Sequence, residues 1–281
     1  MTFPMIVVAL VKGHRELATV YKAVDLAGGF KDIAEEFDRA LIKVNFISTK
    51  TFETGVTTDP LVVEGLIHKA SEAFDQVFVV ESDASITNAD KACEVTGIRE
   101  VCDRNQVTFL NLRREKERVK LPITNGESLK AIKVPRIVVE SAVINAAKLK
   151  THKATDVSLG MKNMFGLLPE KTKFKYHLRN INKVIVDINT VLKSHFTVID
   201  GFYALEGPGP TSGTPVKMDL IIAGKDVVAV DATACRVMGF EPSEIYHVRQ
   251  AYEKGLGEMR EARINVVGSK VKEVKRQFKR G

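Results

Sequence analysis

The stretch 143–169, VINAAKLKTHKATDVSLGMKNMFGLLP, decides how this chain is read. It opens apolar at Val143, Ile144, Ala146 and Ala147, as a buried strand does, and turns cationic at Lys148, Lys150, His152 and Lys153. Helical spacing follows. A strand that ends in cations and hands over to a helix is a common way to build an anion site, because the helix N-terminus adds N–H groups and the positive end of its dipole. Thr155, Asp156 and Ser158 are the expected capping residues of that helix. Lys148, Lys150 and His152 alternate, so they share one face if the strand continues. Like cations on one face repel unless an anion or carboxylates stand among them.

Working outward, the same alternation of strands and helices recurs on both sides. Met5 to Val11 reads as a strand, and His14 to Ala27 as a helix stopped by Gly28 and Gly29. Arg39 to Ile47 reads as a strand whose Lys43 and Asn45 lie one strand period apart and so point the same way. Asp59 before Pro60 predicts an N-cap and first helical residue. Gln76–Glu81 and Val107–Leu112 read as further strands, with Asn88 capping a helix between them. The charge-rich 113–135 region predicts a small antiparallel excursion. Beyond the central stretch, Asn182–Leu192 is helical, His195 to Gly201 is a strand ending in Asp200, and Met218–Gly224 is a strand. Asp226 and Asp231 are expected to cap and start the helix after it, and Ile264–Val267 forms the last strand. The pattern predicts an α/β fold, mostly parallel sheets flanked by helices, in two packed lobes over 1–140 and 141–281 with a cleft where strand ends meet. The second lobe carries the KLKTH and GMKN motifs.

At 281 residues, 44% hydrophobic and 27% charged, the chain is of ordinary globular composition. The N-terminus has no basic leader or cleavage site and reads as a first strand, and no apolar run is long enough to cross a bilayer. Cys93, Cys102 and Cys235 form no CxxC, which indicates neither a disulfide framework nor a zinc site and predicts a reducing, cytoplasmic setting. Much of the net charge of +7 sits in Lys270, Lys272, Lys275, Arg276, Lys279 and Arg280, opposed only by Glu273. This tail is expected to be a solvated end, and with no nucleic-acid motif in the chain nucleic acid is an unfavoured partner.

The candidate ligand-binding residues are Lys43, Asn45, Thr57, Thr58, Lys148, Lys150, Thr151, Asn163, Glu206 and Gly207. Lys43 and Asn45 end a buried strand beside the Thr-rich turn TTDP, and the glycine–proline loop EGPGPTSG (206–213) lets backbone approach a ligand. That loop is neither GxGxxG nor Walker A, so no nucleotide site is indicated. His152, Lys162 and His177 are the candidate catalytic residues. Cations around His152 favour the neutral imidazole that a general base needs, and Asp156, four residues on, is placed to orient it if both are helical. Lys162 among Met161, Met164 and Phe165 is a candidate desolvated nucleophile. His177, in the basic loop KTKFKYH, is a lid element and, with Asp200, a candidate metal ligand. His14, His68, His195 and His247 are expected to be structural or surface residues.

LIKVNF (41–46), TTDP (57–60), KLKTH (148–152), GMKNMFGLLP (160–169), YH (176–177), IDG (199–201), EGPGP (206–210) and KDVVAVDA (225–232) come in order along nearly the whole chain. Together they resemble the domain-of-unknown-function family 362, some members of which are fused to a ferredoxin-type iron–sulfur domain. The family's usual Lys-Pro-Asn is Lys43-Val44-Asn45 here, and no four-cysteine spacing for a cluster is present. More distantly, the segment around His152 and Lys162 resembles the core motif of the nickel-pincer lactate racemases. That resemblance implies a proton-moving His152, a cofactor-bearing Lys162 and a nickel-binding His177. It departs from the motif at Leu159-Gly160, where that family has Gly-Gly, and lacks its upstream Thr-His-Arg.

The expectation is thus a small anionic ligand, carboxylate or phosphate, bound in a cleft. If the protein is an enzyme, it transfers a proton next to a carboxylate, as a racemase or isomerase does. A divalent metal or a nickel-type cofactor is admitted, and an iron–sulfur cluster in this chain is not. The competing expectation is a non-catalytic partner of ferredoxin-like or other redox proteins.

Overall fold

The computed structural model describes residues 5–170, 173, 176 and 178–281. Eleven strands are described: β1 (Ile6–Lys12), β2 (Arg39–Lys43), β3 (Gln76–Glu81), β4 (Thr108–Asn111), β5 (Arg118–Pro122), β6 (Ala131–Pro135), β7 (Ala142–His152), β8 (Asp156–Ser158), β9 (Phe196–Glu206), β10 (Thr214–Gly224) and β11 (Ile264–Gly268). Nine of them form one sheet in the order β11-β1-β10-β9-β7-β2-β3-β4, with β8 folded back on β7. Five neighbouring pairs are parallel, namely β1 with β11, β2 with β3, β2 with β7, β3 with β4 and β7 with β9. These central strands are near-continuous apolar runs, because helices cover both faces. An apolar core lies on each side, one including Leu41, Val143, Ala147 and Ile199 and the other Ile42, Ile144, Ala146 and Val198. The fold is therefore α/β with a large, mostly parallel sheet flanked by helices, as expected.

The two-lobe division is not what the strands build. β1 lies between β10 and β11, and β2 pairs with β7, so residues on both sides of position 140 interleave in a single sheet. The antiparallel excursion is present as the β5–β6 pair. Asp59 caps the helix Pro60–Ser71 by accepting from the Leu61 N–H, and Asn88 caps Ala89–Val95 through the Lys91 N–H. The strand expected to stop at Asp200 runs on to Glu206.

The basic tail is docked and not solvated. Val274 and Phe278 are buried, and the Phe278 and Arg276 N–H groups donate to the carbonyls of Met238 and Val237. Arg280 pairs with Asp156 at 3.1 Å and Glu244 at 2.6 Å.

Candidate functional site

Open α/β sheets present ligands with the carboxyl ends of their parallel strands. Here β2 ends at Lys43, β3 at Glu81 and β7 at His152, and the last of these overshoots its neighbours. The register pairs Lys43 with Asn145 and Lys43 with Val80, so seven more residues of β7 project past the end of β2. Those residues carry Lys148, Lys150 and His152. A cavity of about 240 Å³ opens there, lined by Lys43, Asn45, Glu81, Lys150, His152, Lys162, Asn163 and Lys173 among others. Of the candidate residues, Lys43, Asn45, Lys150, His152, Lys162 and Asn163 share it.

Three asparagines hold this end of the sheet together. Asn145 Nδ2 donates to the Gly160 carbonyl, Asn163 Nδ2 to Asn145 Oδ1, and Asn45 Nδ2 to Asn163 Oδ1. The backbone carbonyl at one end fixes the direction of every amide in the series. It leaves Asn45 Oδ1 facing Lys150 Nζ, which donates to it at 2.6 Å and to the Val56 carbonyl at 2.8 Å. Lys43 Nζ donates to Glu81 Oε2 at 2.8 Å and to its neighbour's carbonyl at 2.7 Å. Lys173 Nζ donates to Ser82 Oγ at 2.6 Å, and that hydroxyl in turn bonds the Gly166 and Leu168 carbonyls. Gly166 is required by packing, since a side chain there would strike the Lys43 ammonium and the Glu81 carboxylate.

The electrostatics follow from burial. Lys43 is driven below its ordinary value by desolvation, which Glu81 opposes. Lys150, 1% exposed, is driven well below it, first by desolvation and then by Lys162 and Lys148. Desolvation lowers Lys162 to about 8, with Lys173 adding to it, and lowers Lys173 to about 8 against the pull of Glu81. Lys162 Nζ makes no hydrogen bond or ion pair with any described residue. Glu81 is the single carboxylate among the described residues lining the cavity, which Lys43, Lys150, Lys153, Lys162 and Lys173 also line.

The helix expected to offer its N-terminus to a ligand is short, Gly160–Asn163, and its first N–H groups are taken. Asp231 accepts from Gly160 N at 2.7 Å and Met161 N at 2.9 Å, and its carboxyl is pushed up to about 7 by burial. Asp231 is thus neither a cap nor a start of its own helix; Asp226 alone caps it. Residues 156–158, read as capping chemistry, form β8, and Leu159 precedes the helix. Asp156 sits across the hairpin from His152 and bonds Arg280, so it does not orient His152 from within a helix. His152 Nδ1 accepts the Ala154 N–H at 3.0 Å, which places the proton of the neutral ring on Nε2. In this tautomer Nε2 is a hydrogen-bond donor, and the nitrogen that a base would use already accepts the Ala154 N–H.

Other predicted residues lie elsewhere. Lys148 does not line the cavity and pairs with Asp200 at 2.7 Å, both fully buried. Asp200 also accepts from Asp59 N and Phe202 N, so it is a structural anchor and not a metal ligand. Thr57 Oγ1 donates to the Lys50 carbonyl, Thr58 Oγ1 to that of Ala146, and Thr151 Oγ1 to that of Gly207. Glu206 and Gly207 anchor the tail through Lys279. None of these lines the cavity. His177 lies outside the described residues. Among the described residues no three His, Cys, Asp or Glu side chains gather as a metal site.

Sequence reasoning missed Glu81, Ser82, Asn145 and Lys173. A carboxylate ending an apolar strand and an asparagine inside VINAAK were signals for the first and third. Ser82 carries no signal of its own, and Lys173 belongs to the basic run KTKFKYH (171–177), whose composition singles out no one lysine.

An α/β sheet whose parallel strand ends converge on buried lysines and a run of asparagine amides defines the class of this protein. The chain belongs to the family described as a domain of unknown function (DUF362), whose model matches residues 40–236. It is 25% identical over 236 residues to a thylakoid-associated protein of Synechocystis sp., covering 82% of this chain and 72% of the relative. No solved structure matches it. Neither match extends to the nickel-pincer racemases. Among the described residues no helix is long and apolar enough to cross a membrane.

Proposed function

We propose that the cavity binds a small carboxylate or phosphate and moves a proton next to the bound anion. The observation that carries this reading is Lys162, an ammonium held against the cavity with no described partner, in a lining that sets five lysines against one carboxylate. Lys153 is exposed and Lys43 is paired with Glu81, but charge at the other positions is costly without a guest, because burial penalises an unpaired charge. A guest anion supplies the missing counter-charge and is held by charge-assisted hydrogen bonds.

The roles follow from protonation. A lysine lowered to about 8 matches the range in which a general acid or base works at neutral pH, so Lys162 carries the proton. His152, with its proton on Nε2, donates a hydrogen bond that polarises an oxygen of the ligand. Lys43, paired with Glu81, and Lys173 stand beside the anion as further hydrogen-bond donors.

The test is calorimetric titration with inorganic phosphate, lactate and pyruvate, followed by NMR detection of solvent deuterium entering C2 of lactate or C3 of pyruvate. Binding is expected for at least one anion and is weakened tenfold or more in Lys162→Met. His152→Gln is expected to keep binding and lose exchange. If no anion of the panel binds, the reading is wrong; if His152→Gln loses binding and exchange equally, its assigned role is wrong.

A further inference from the structure

Three lysines of the strand ends are buried to 1% exposure or less, and they differ in what holds them. Lys43 has Glu81 at 2.8 Å and Lys148 has Asp200 at 2.7 Å, so each ammonium meets a carboxylate. Lys150 has no carboxylate among the described residues. Its nitrogen donates two hydrogen bonds, to Asn45 Oδ1 and to the Val56 carbonyl, and it lines the cavity. The asparagine series forces an oxygen, not an amide N–H, onto that nitrogen. Two acceptors use two hydrogens, so among the described residues both hydrogens of –NH2 are met and its lone pair is left open, whereas –NH3⁺ is one partner short.

We infer that Lys150 is a nucleophilic amine that forms a Schiff base with a small anion bearing a ketone or aldehyde, a 2-oxo acid being the simplest. The inference rests on the anion reading of the cavity and adds the carbonyl to it. Burial and the neighbouring cations Lys162 and Lys148 act in the same direction, driving Lys150 toward the free amine that addition requires.

The chemistry balances without an oxidant or reductant. The Lys150 lone pair adds to the carbonyl carbon, the carbon–oxygen π bond opens, and a proton passes from nitrogen to that oxygen to give a carbinolamine. Protonation by the Lys162 ammonium lets the hydroxyl leave as water, and the nitrogen lone pair closes the carbon–nitrogen double bond of a cationic iminium. Lys162 ends as the free amine, ready to take a proton from the carbon next to the iminium. His152 Nε2–H polarises the carbonyl oxygen during addition. The ligand's carboxylate faces the remaining lysines, whose charge holds it while the carbonyl reacts.

The test treats the full chain with pyruvate and sodium borohydride and reads intact mass, with peptide mapping of the site and calorimetry of pyruvate and inorganic phosphate in parallel. The expected result is one reductively attached pyruvate per chain on Lys150, lost in a folded Lys150→Arg variant. An adduct on Lys162 or another lysine overturns the inference. So does pyruvate that binds without a borohydride-dependent adduct, or phosphate that binds where pyruvate does not; in both cases the anion site stands. If neither anion binds, the anion reading fails and this inference fails with it.

Discussion

Replacing Lys162 with methionine should stabilise the ligand-free protein while removing its anion affinity. The Lys162 ammonium is lowered from 10.5 to about 8, a shift corresponding to roughly 3 kcal/mol by which the folded chain disfavours the proton. The side chain is only partly buried and reaches water in part, so the recoverable gain is about 1–3 kcal/mol. Methionine keeps the apolar stem among Met161, Met164 and Phe165 and leaves no described partner stranded. The pH dependence has a definite sign. Below about 8 both the folded and the unfolded chain hold the proton, and the penalty is fully present. Between about 8 and 10.5 the unfolded chain holds it and the folded chain does not, so wild-type stability rises with pH. The difference between variant and wild type should therefore be largest at neutral pH and shrink above about pH 8. Urea unfolding of both proteins across this range, with calorimetry of phosphate binding, measures it. A variant less stable than wild type at pH 7, or a difference that does not shrink with pH, would refute the claim that this ammonium is held without a partner among the described residues.

Two further substitutions probe the scaffold. Lys148→Met strands the fully buried Asp200, and breaking such a pair from one side costs about 3–5 kcal/mol; urea unfolding should show that loss, and a neutral outcome would mean the pair is not desolvated as described. Asp231→Asn leaves one of the Gly160 and Met161 N–H groups facing an amide NH2, at a cost of about 1–3 kcal/mol. Because the folded carboxyl titrates near 7 and the unfolded one near 3.8, the wild type loses stability as pH rises through that interval, and the variant should lack this slope. An unchanged slope would place the buried proton elsewhere.

The contrast between Lys148 and Lys150 shows where local pattern stops being informative. Both sit in KLKTH, alternate along one strand and carry the same charge, so sequence spacing treats them alike. Their difference arises in the neighbours. Along β7 and β9 the register places Lys148 opposite Asp200, then shifts before Lys150, which is left facing Asn45 and the Val56 carbonyl. A long-range register shift leaves no trace in the spacing of one strand. By contrast, Asp59–Pro60 and the alternation of Lys43 with Asn45 are local features, and cap and facing could be read directly. What weighs against the base role expected for His152 is local but unseen in the pattern, the return of the Ala154 N–H onto Nδ1 in the β7–β8 hairpin. The short helix Gly160–Asn163 failed as an anion site because Asp231, 71 residues away, already occupies it.

The asparagine series gives the three motifs a common physical purpose. Asn45 comes from KVN, Asn163 from GMKN and Asn145 from the strand that leads into KLKTH, and each amide is oriented by the next. Buried amides must be satisfied or they cost free energy, so a change at one position propagates to the others. Replacing Asn163 breaks the link that turns Asn45 Oδ1 toward Lys150, although Asn163 does not itself touch Lys150. The amine of Lys150 would then face either oxygen or N–H of a freed Asn45, and the order that leaves it one hydrogen-bond partner short as an ammonium would be lost. On this argument the motifs are spaced as they are because three different segments must deliver amides of one polarity to a single nitrogen.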